Sequence, residues 1–304
     1  MKSISINRKT NLALYPFRFV MIYLFLSILL FSYNNVLWKK NVEKGSIPFL
    51  MTYRAFFTTL IAAVALFGVL GFAPVTVYEY LKITTGSLFG VVGLFAMLQV
   101  IKKSSLQWLG IYNLIGVVFT TFYLIAIKDI NISSSLLGAI IILIGFALFL
   151  YSSKQTQLKL TTKQHLLLLL MAICFSVSSL IHWENLTASI SPLLIISNQE
   201  FIVLLLGGFA AFKQRRKIQF SLQYKRYFFP TLWMSGIIFF ALLLSLLGLK
   251  DTDPFIASLL FLATPLTTIG FSSLFFKERI TLMNAIAILV IALGAFFLHY
   301  LKSV

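Results

Sequence analysis

Two ionisable side chains stand where the sequence is otherwise hydrocarbon: Arg54, in FLMTYRAFFTTLIAAVALF (49–67), and Glu200, in PLLIISNQEFIVLLLGGFAAF (192–212). The other seven acids, Glu43, Glu79, Asp129, Glu184, Asp251, Asp253 and Glu278, fall in loops or at the ends of apolar runs, and so do the remaining Lys and Arg residues. A charge at the centre of a membrane span costs about 2.5–3.5 kcal/mol on insertion scales, so both groups are expected to face protein or water and to have a partner. Two chemistries fit. In one, the pair is structural, with Arg54 bridging to a neighbouring helix and Glu200 protonated or ion-paired. In the other, Arg54 binds an anionic group of a substrate while Glu200 binds a cationic group or carries a coupling proton. Both place the two side chains on a shared cavity.

Uncharged polar residues recur at matching depth: Tyr33, Asn34 and Asn35, then Tyr53 beside Arg54, then Ser178 with Ser179, then Asn198 and Gln199 beside Glu200. Amide and hydroxyl groups in hydrocarbon need hydrogen-bonding partners, which a common polar chamber supplies. The substrate-binding set is therefore Arg54, Glu200, Tyr33, Asn34, Asn35, Tyr53, Ser178, Asn198 and Gln199, although each uncharged member also reads as helix-to-helix glue. Gln99, Tyr112, Asn113 and Thr264 are weaker members. Catalysis finds no foothold. His165, His182 and His299 are scattered at span ends without an H-E-x-x-H pattern, TGSLFG (85–90) lacks the G-x-S-x-G spacing, and DTDP (251–254) has no further acid to complete a metal site. Cys174 is alone in an apolar run, which argues for packing rather than for a disulfide or metal cluster. No catalytic residue, metal or cofactor is expected.

The elements that must position these groups follow from composition. The 304 residues are 60% hydrophobic and only 11% charged, far from the soluble globular norm, and leave no stretch long enough for a separate soluble domain. At roughly 20 residues per crossing, ten windows span a bilayer: 17–38, 47–68, 84–101, 106–127, 132–151, 165–182, 192–212, 227–249, 254–276 and 281–301. The first is too long for a signal-peptide core and lacks a convincing cleavage site, so it reads as a retained span. Mostly short connections make consecutive helices antiparallel. The net charge of +17 lies almost wholly in loops and tails, which suits anionic headgroups as partners and gives no reason to expect nucleic acid. KQRRKIQFSLQYKR (213–226) is the main interfacial segment.

The halves repeat. Shifted by 149 positions, 116–130 lies over 265–279 with Phe122 on Phe271, Lys128 on Lys277 and Asp129 on Glu278, and Gly145 then meets Gly294. Shifted by 144, 46–57 lies over the start of the seventh window, with Pro48 on Pro192, Phe57 on Phe201, Arg54 on Asn198 and Phe56 on Glu200. Because five is odd, the second half enters the membrane inverted. The expected fold is an all-α membrane protein, ten transmembrane helices as two inverted five-helix repeats, 1–151 and 152–304. Gly138 and Gly145, and Ala287 and Gly294, offer smooth faces for close helix packing on the fifth and tenth helices.

With TYRAFF around Arg54, IKKSSLQWLGIYNLIGVVFTTFYLIAIKD (101–129) and LATPLTTIGFSSLFFKERITLMNAIAILVIALGAFFL (262–298), the sequence resembles the EamA-type ten-helix carriers of the drug/metabolite transporter superfamily over nearly its whole length. Gly116 stands where that family commonly has Pro. The resemblance implies a secondary transporter exporting a small polar or amphipathic metabolite, such as an amino acid, by alternating access in a bacterial inner membrane, with both termini cytoplasmic. The basic residues oppose that orientation, since the odd-numbered loops hold 16 and the N-tail, even-numbered loops and C-tail hold 8. A membrane enzyme acting on lipid-linked substrates and a non-transporting scaffold or sensor remain alternatives, and monomer and homodimer are both open.

Overall fold

The computed structural model describes residues 9–69, 75–128, 132–155, 160–214, 220–250, 252, 263–277 and 281–300; Asp129, Asp251, Asp253 and Glu278 lie outside them. Among the described residues there is no strand, and ten helices follow one another: α1 (Lys9–Val42), α2 (Ile47–Val69), α3 (Val77–Ile101), α4 (Gln107–Lys128), α5 (Ile132–Gln155), α6 (Thr162–Thr187), α7 (Pro192–Lys213), α8 (Phe220–Lys250), α9 (Ala263–Phe276) and α10 (Leu282–Tyr300). Six of them, α1, α2, α3, α6, α7 and α8, are long and apolar enough to cross a membrane within their described parts.

Several helices outrun the windows drawn from hydropathy, and the excess is polar. Window 84–101 omitted the first turns of α3. There Thr76 accepts a hydrogen bond from the Glu79 backbone N–H and the Glu79 carboxylate accepts one from the Thr76 N–H, a reciprocal capping box. Window 165–182 omitted both ends of α6, which starts on an equivalent box at Thr161 and Gln164 and continues through His182, Trp183 and Glu184. Window 227–249 began too late, because α8 starts at Phe220 and carries Pro230 in its interior. Ser191 caps α7 with Pro192 at its first position, which suits a residue without an N–H there.

Packing runs across the two halves. α1 lies on α8 and α9, α6 lies on α3 and α4, α2 meets α7 and α8, α3 meets α7, and α4 meets α9. α5 and α10 pack chiefly on each other. Their crossing point is set by the glycines the sequence singled out. A Cβ on Gly145 would stand 3.0 Å from the Ala287 carbonyl oxygen, and one on Gly294 would stand 2.9 Å from the Gly138 carbonyl oxygen and 2.8 Å from the Ile142 nitrogen. Cys174 is buried and free, pressed on Gly93 of α3 as packing. Outer faces carry exposed Val64, Phe67, Leu205, Phe209, Ile144 and Leu289, which is what contact with hydrocarbon requires.

Consecutive helices alternate in direction, so α1, α3, α5, α7 and α9 end on one side, the odd-turn end, and α2, α4, α6 and α8 end on the other, the even-turn end. Trp38, Val42, Leu50, Leu98, Leu106 and Met171 belong to one buried core cluster toward the odd-turn end. Leu24, Ala62, Ile83, Leu186, Ile195 and Leu249 form a second toward the even-turn end.

Candidate functional site

Between these cores lies a cavity of about 320 Å³. Four helices each present one helical stripe to it: Phe31, Asn34, Asn35 and Trp38 on α1, Gly90, Leu94 and Met97 on α3, Leu109, Asn113, Gly116 and Thr120 on α4, and Ile238, Leu242, Ser245 and Leu249 on α8. The spacings of three, four and seven residues are those of a single helix face. The lining runs from Leu109 in the first turn of α4 and Met97 near the end of α3, on the odd-turn side, to Trp183 and Leu249 near the ends of α6 and α8, on the even-turn side.

Arg54 and Glu200 meet in its wall. Arg54 Nη2 lies 2.8 Å from Glu200 Oε2, and the two side chains are each 2% exposed. The guanidinium stands over the ring of Trp38, its carbon 5.6 Å from the centroid. Its backbone is held as well, since the Arg54 carbonyl accepts hydrogen bonds from Thr58 Oγ1 at 3.1 Å and from Ser235 Oγ at 2.8 Å, the latter tying α2 to α8. Ser235→Ala is expected to cost about 1 kcal/mol, read as a lower unfolding midpoint in detergent.

The residues selected from sequence divide by position. Asn34, Asn35, Arg54, Ser178, Gln199 and Glu200 line the cavity, as do Ser179, Asn113 and Thr264 of the secondary sets. Tyr33, Tyr53 and Asn198 are not in the lining. Tyr33 packs on Phe271 and Phe275 of α9, with ring centroids 6.2 and 6.0 Å away. Tyr53 belongs to an aromatic cluster with Phe49, Phe57 and Tyr224. Asn198 accepts from Ser87 Oγ at 2.9 Å and donates to Thr84 Oγ1 at 3.3 Å, so it fastens α7 to α3. Each sits beside a lining residue in sequence, and on a helix the next residue points about 100° away. Tyr112, another weaker member, bonds His165 Nδ1 through its hydroxyl at 2.6 Å, and Gln99 faces outward.

Sequence reasoning passed over Trp38, His182, Trp183, Ser176 and Ser245, all of which line the cavity. Trp38 is one helical turn from Asn34, and His182 one turn from Ser178. Projection onto a helix face was the signal that could have found them. His182 is no span-end residue, because α6 continues to Thr187. It is 5% exposed and lies beside Gln199, yet neither ring nitrogen makes a hydrogen bond of standard geometry. Asn34 Oδ1 and Arg54 Nε are likewise buried without a hydrogen-bond partner. Four unpartnered polar atoms thus belong to residues that line one cavity, a donor, an acceptor and an imidazole that can act as either. Such groups are costly unless water or a ligand meets them. Among the described residues no cluster of His, Cys, Asp or Glu has the makings of a metal site.

Residues 162–300 match the EamA-like transporter family. This EamA-like pattern covers α6 to α10, and the family is part of the drug/metabolite transporter superfamily, whose members are membrane transporters rather than enzymes. Together with its apolar helices, the match makes the chain an integral membrane protein. A solved structure titled "Crystal structure of protein" is similar in fold at a TM-score of 0.64, with 16% identity over 93% of this chain and 97% of that one. No curated protein matches the sequence.

Proposed function

We propose that this chain is a ten-helix secondary transporter that exports a small polar or amphipathic metabolite, such as an amino acid, by alternating access around the central cavity. The observation that carries the reading is the Arg54–Glu200 pair, buried at mid-helix in the wall of a chamber that is also lined by Asn34 and His182, whose side chains hold buried atoms without hydrogen-bond partners. A purely structural ion pair has no need of such a chamber. A substrate bearing a carboxylate or a hydrogen-bond acceptor meets Arg54 Nε, and an ammonium or other donor meets Asn34 Oδ1 and Glu200, while Phe31, Leu94, Phe175 and Leu242 take an apolar body. Membrane lipids surround the exposed faces, and Glu200 is the group on which a coupling proton would ride.

Alternating access requires two related units that rock against each other, here 1–151 and 152–304 in inverted orientation. Exchange of the halves turns α1 into α6, α2 into α7, α3 into α8, α4 into α9 and α5 into α10. The packing pairs support this division because they come in exchange-related sets: α1 on α8 with α6 on α3, α2 on α8 with α7 on α3, and α1 on α9 with α6 on α4. The pairs α2 on α7, α4 on α9 and α5 on α10 map onto themselves. With both termini cytoplasmic, the even-turn end faces the cytoplasm, and a lining that runs from Leu249 and Trp183 on that side to Leu109 and Met97 on the other suits passage between the two faces.

Purified protein in proteoliposomes is expected to move one member of a labelled amino-acid and amine panel, with Arg54→Ala and Glu200→Gln lowering the rate at least tenfold. Absence of transport across the panel, or full activity in both variants, counts against the reading. Orientation has its own check. A cysteine placed at Gln214, an exposed cap at the odd-turn end, is expected to react with a membrane-impermeant maleimide added to intact cells, and protection there reverses the orientation.

A further inference from the structure

Building on the proposed substrate cavity, we propose that it holds a second polar subsite, formed by His182 with Ser178 and Gln199, that hydrogen-bonds a hydroxyl or N–H at the far end of the transported molecule from its charged head. His182 and Ser178 are one turn apart on α6, and Gln199 on α7 adjoins Glu200, so the subsite continues from the ion pair toward the even-turn end. The rest of the lining is largely apolar and aromatic, with Phe31, Leu94, Phe175 and Leu242. Along α3 the lining alone runs from Gly90 to Met97, about 10 Å at 1.5 Å per residue. That length suits a molecule with a ring or short chain between its polar ends.

Two features mark the subsite as built. The imidazole is nearly wholly buried and neither ring nitrogen makes a hydrogen bond of standard geometry, the Gln199 amide being its polar neighbour, so a hydroxyl, itself donor and acceptor, can complete the set. The α3 surface behind it is stripped of side chains. A Cβ on Gly86 would lie 2.9 Å from His182 Cε1, and a Cβ on Gly90 would lie 3.2 Å from Ser178 Oγ. Larger residues at these positions would drive the two polar groups out of their present places. An apolar wall would discriminate weakly between molecules differing by one hydroxyl, whereas a site with its own buried polar groups penalises the analogue that leaves them unmet.

Matched pairs differing only in a terminal hydroxyl test this: tyrosine with phenylalanine, tyramine with phenethylamine, and 3-(4-hydroxyphenyl)propionate with 3-phenylpropionate, covering zwitterionic, cationic and anionic heads. Apparent Kd values come from thermal-shift titration of the full-length protein in detergent. For at least one head type the hydroxylated member is expected to bind about tenfold tighter than its partner. That ratio should fall to within about twofold in His182→Leu and be reduced in Gly86→Ala, which keeps the imidazole but displaces it. Binding without a hydroxyl preference in the wild-type protein, which needs no variant to fold, overturns the subsite and leaves the cavity reading standing. A preference that survives both substitutions overturns it as well. Failure of all six compounds to bind overturns the subsite together with the cavity as a site for such molecules.

Discussion

Arg54→Ala is expected to destabilise the protein by about 3–5 kcal/mol, because it leaves the Glu200 carboxylate buried with no cation beside it. The single replacement Glu200→Leu should cost about as much, since it strands the guanidinium over Trp38. Replacing both, Arg54→Met with Glu200→Leu, is expected to recover most of the loss. A buried ion pair and a well-packed apolar pair of similar volume differ little in stability, whereas half a pair is costly. The informative result is the split between two readouts on the same preparations. Unfolding midpoints should return toward wild type in the double variant, while transport in proteoliposomes stays absent, because the charges that meet the substrate are gone. A double variant that transports at the wild-type rate would reduce the pair to a structural role. A double variant as unstable as the singles would mean that the cavity wall depends on the guanidinium in ways the ion pair does not capture, through Trp38 or through the unpartnered Nε.

The ten helices were legible because each is marked by an apolar run of about 20 residues, and Arg54 and Glu200 were legible because a charge inside such a run stands out against it. Helix ends were less so. Hydropathy closes a window at the first charged residues, yet Glu79 and Lys82 lie within α3, and His182, Trp183 and Glu184 lie within α6. The boxes Thr76–Glu79 and Thr161–Gln164 were written in the sequence and would have set both starts. Lys82 and Glu184 in fact join those extended turns by an ion pair of 2.7 Å. Within the site, depth along a helix was readable but rotation about its axis was not. Asn34 and Tyr33 are equally deep; one lines the cavity and the other packs on Phe271 and Phe275. Rotation is fixed by neighbours on other helices, such as Ser235 on the Arg54 carbonyl and Ser87 on Asn198, and a single chain read residue by residue does not reveal those pairings.

Gly294→Val should be the most damaging substitution away from the cavity, at about 1–3 kcal/mol for overpacking. The atoms its side chain would strike are the Ile142 nitrogen and the Gly138 carbonyl oxygen, which are backbone and cannot turn aside as a flexible side chain would. Relief requires α5 and α10 to separate, and with them the contact between Gly145 and Ala287. Gly236→Ala on α8 is the matched control, since a Cβ there meets nothing within 4 Å, and it is expected to be neutral or slightly stabilising. Gly294→Ala, the milder change, then separates two roles for the α5–α10 pair. Among the described residues none that lines the cavity comes from either helix, so as a rigid scaffold the pair should lose stability while ligand affinity and transport rate hold. Should transport slow several-fold at unchanged affinity, the close crossing of α5 and α10 must itself shift during the cycle, and the two glycines would be the bearing on which the halves turn.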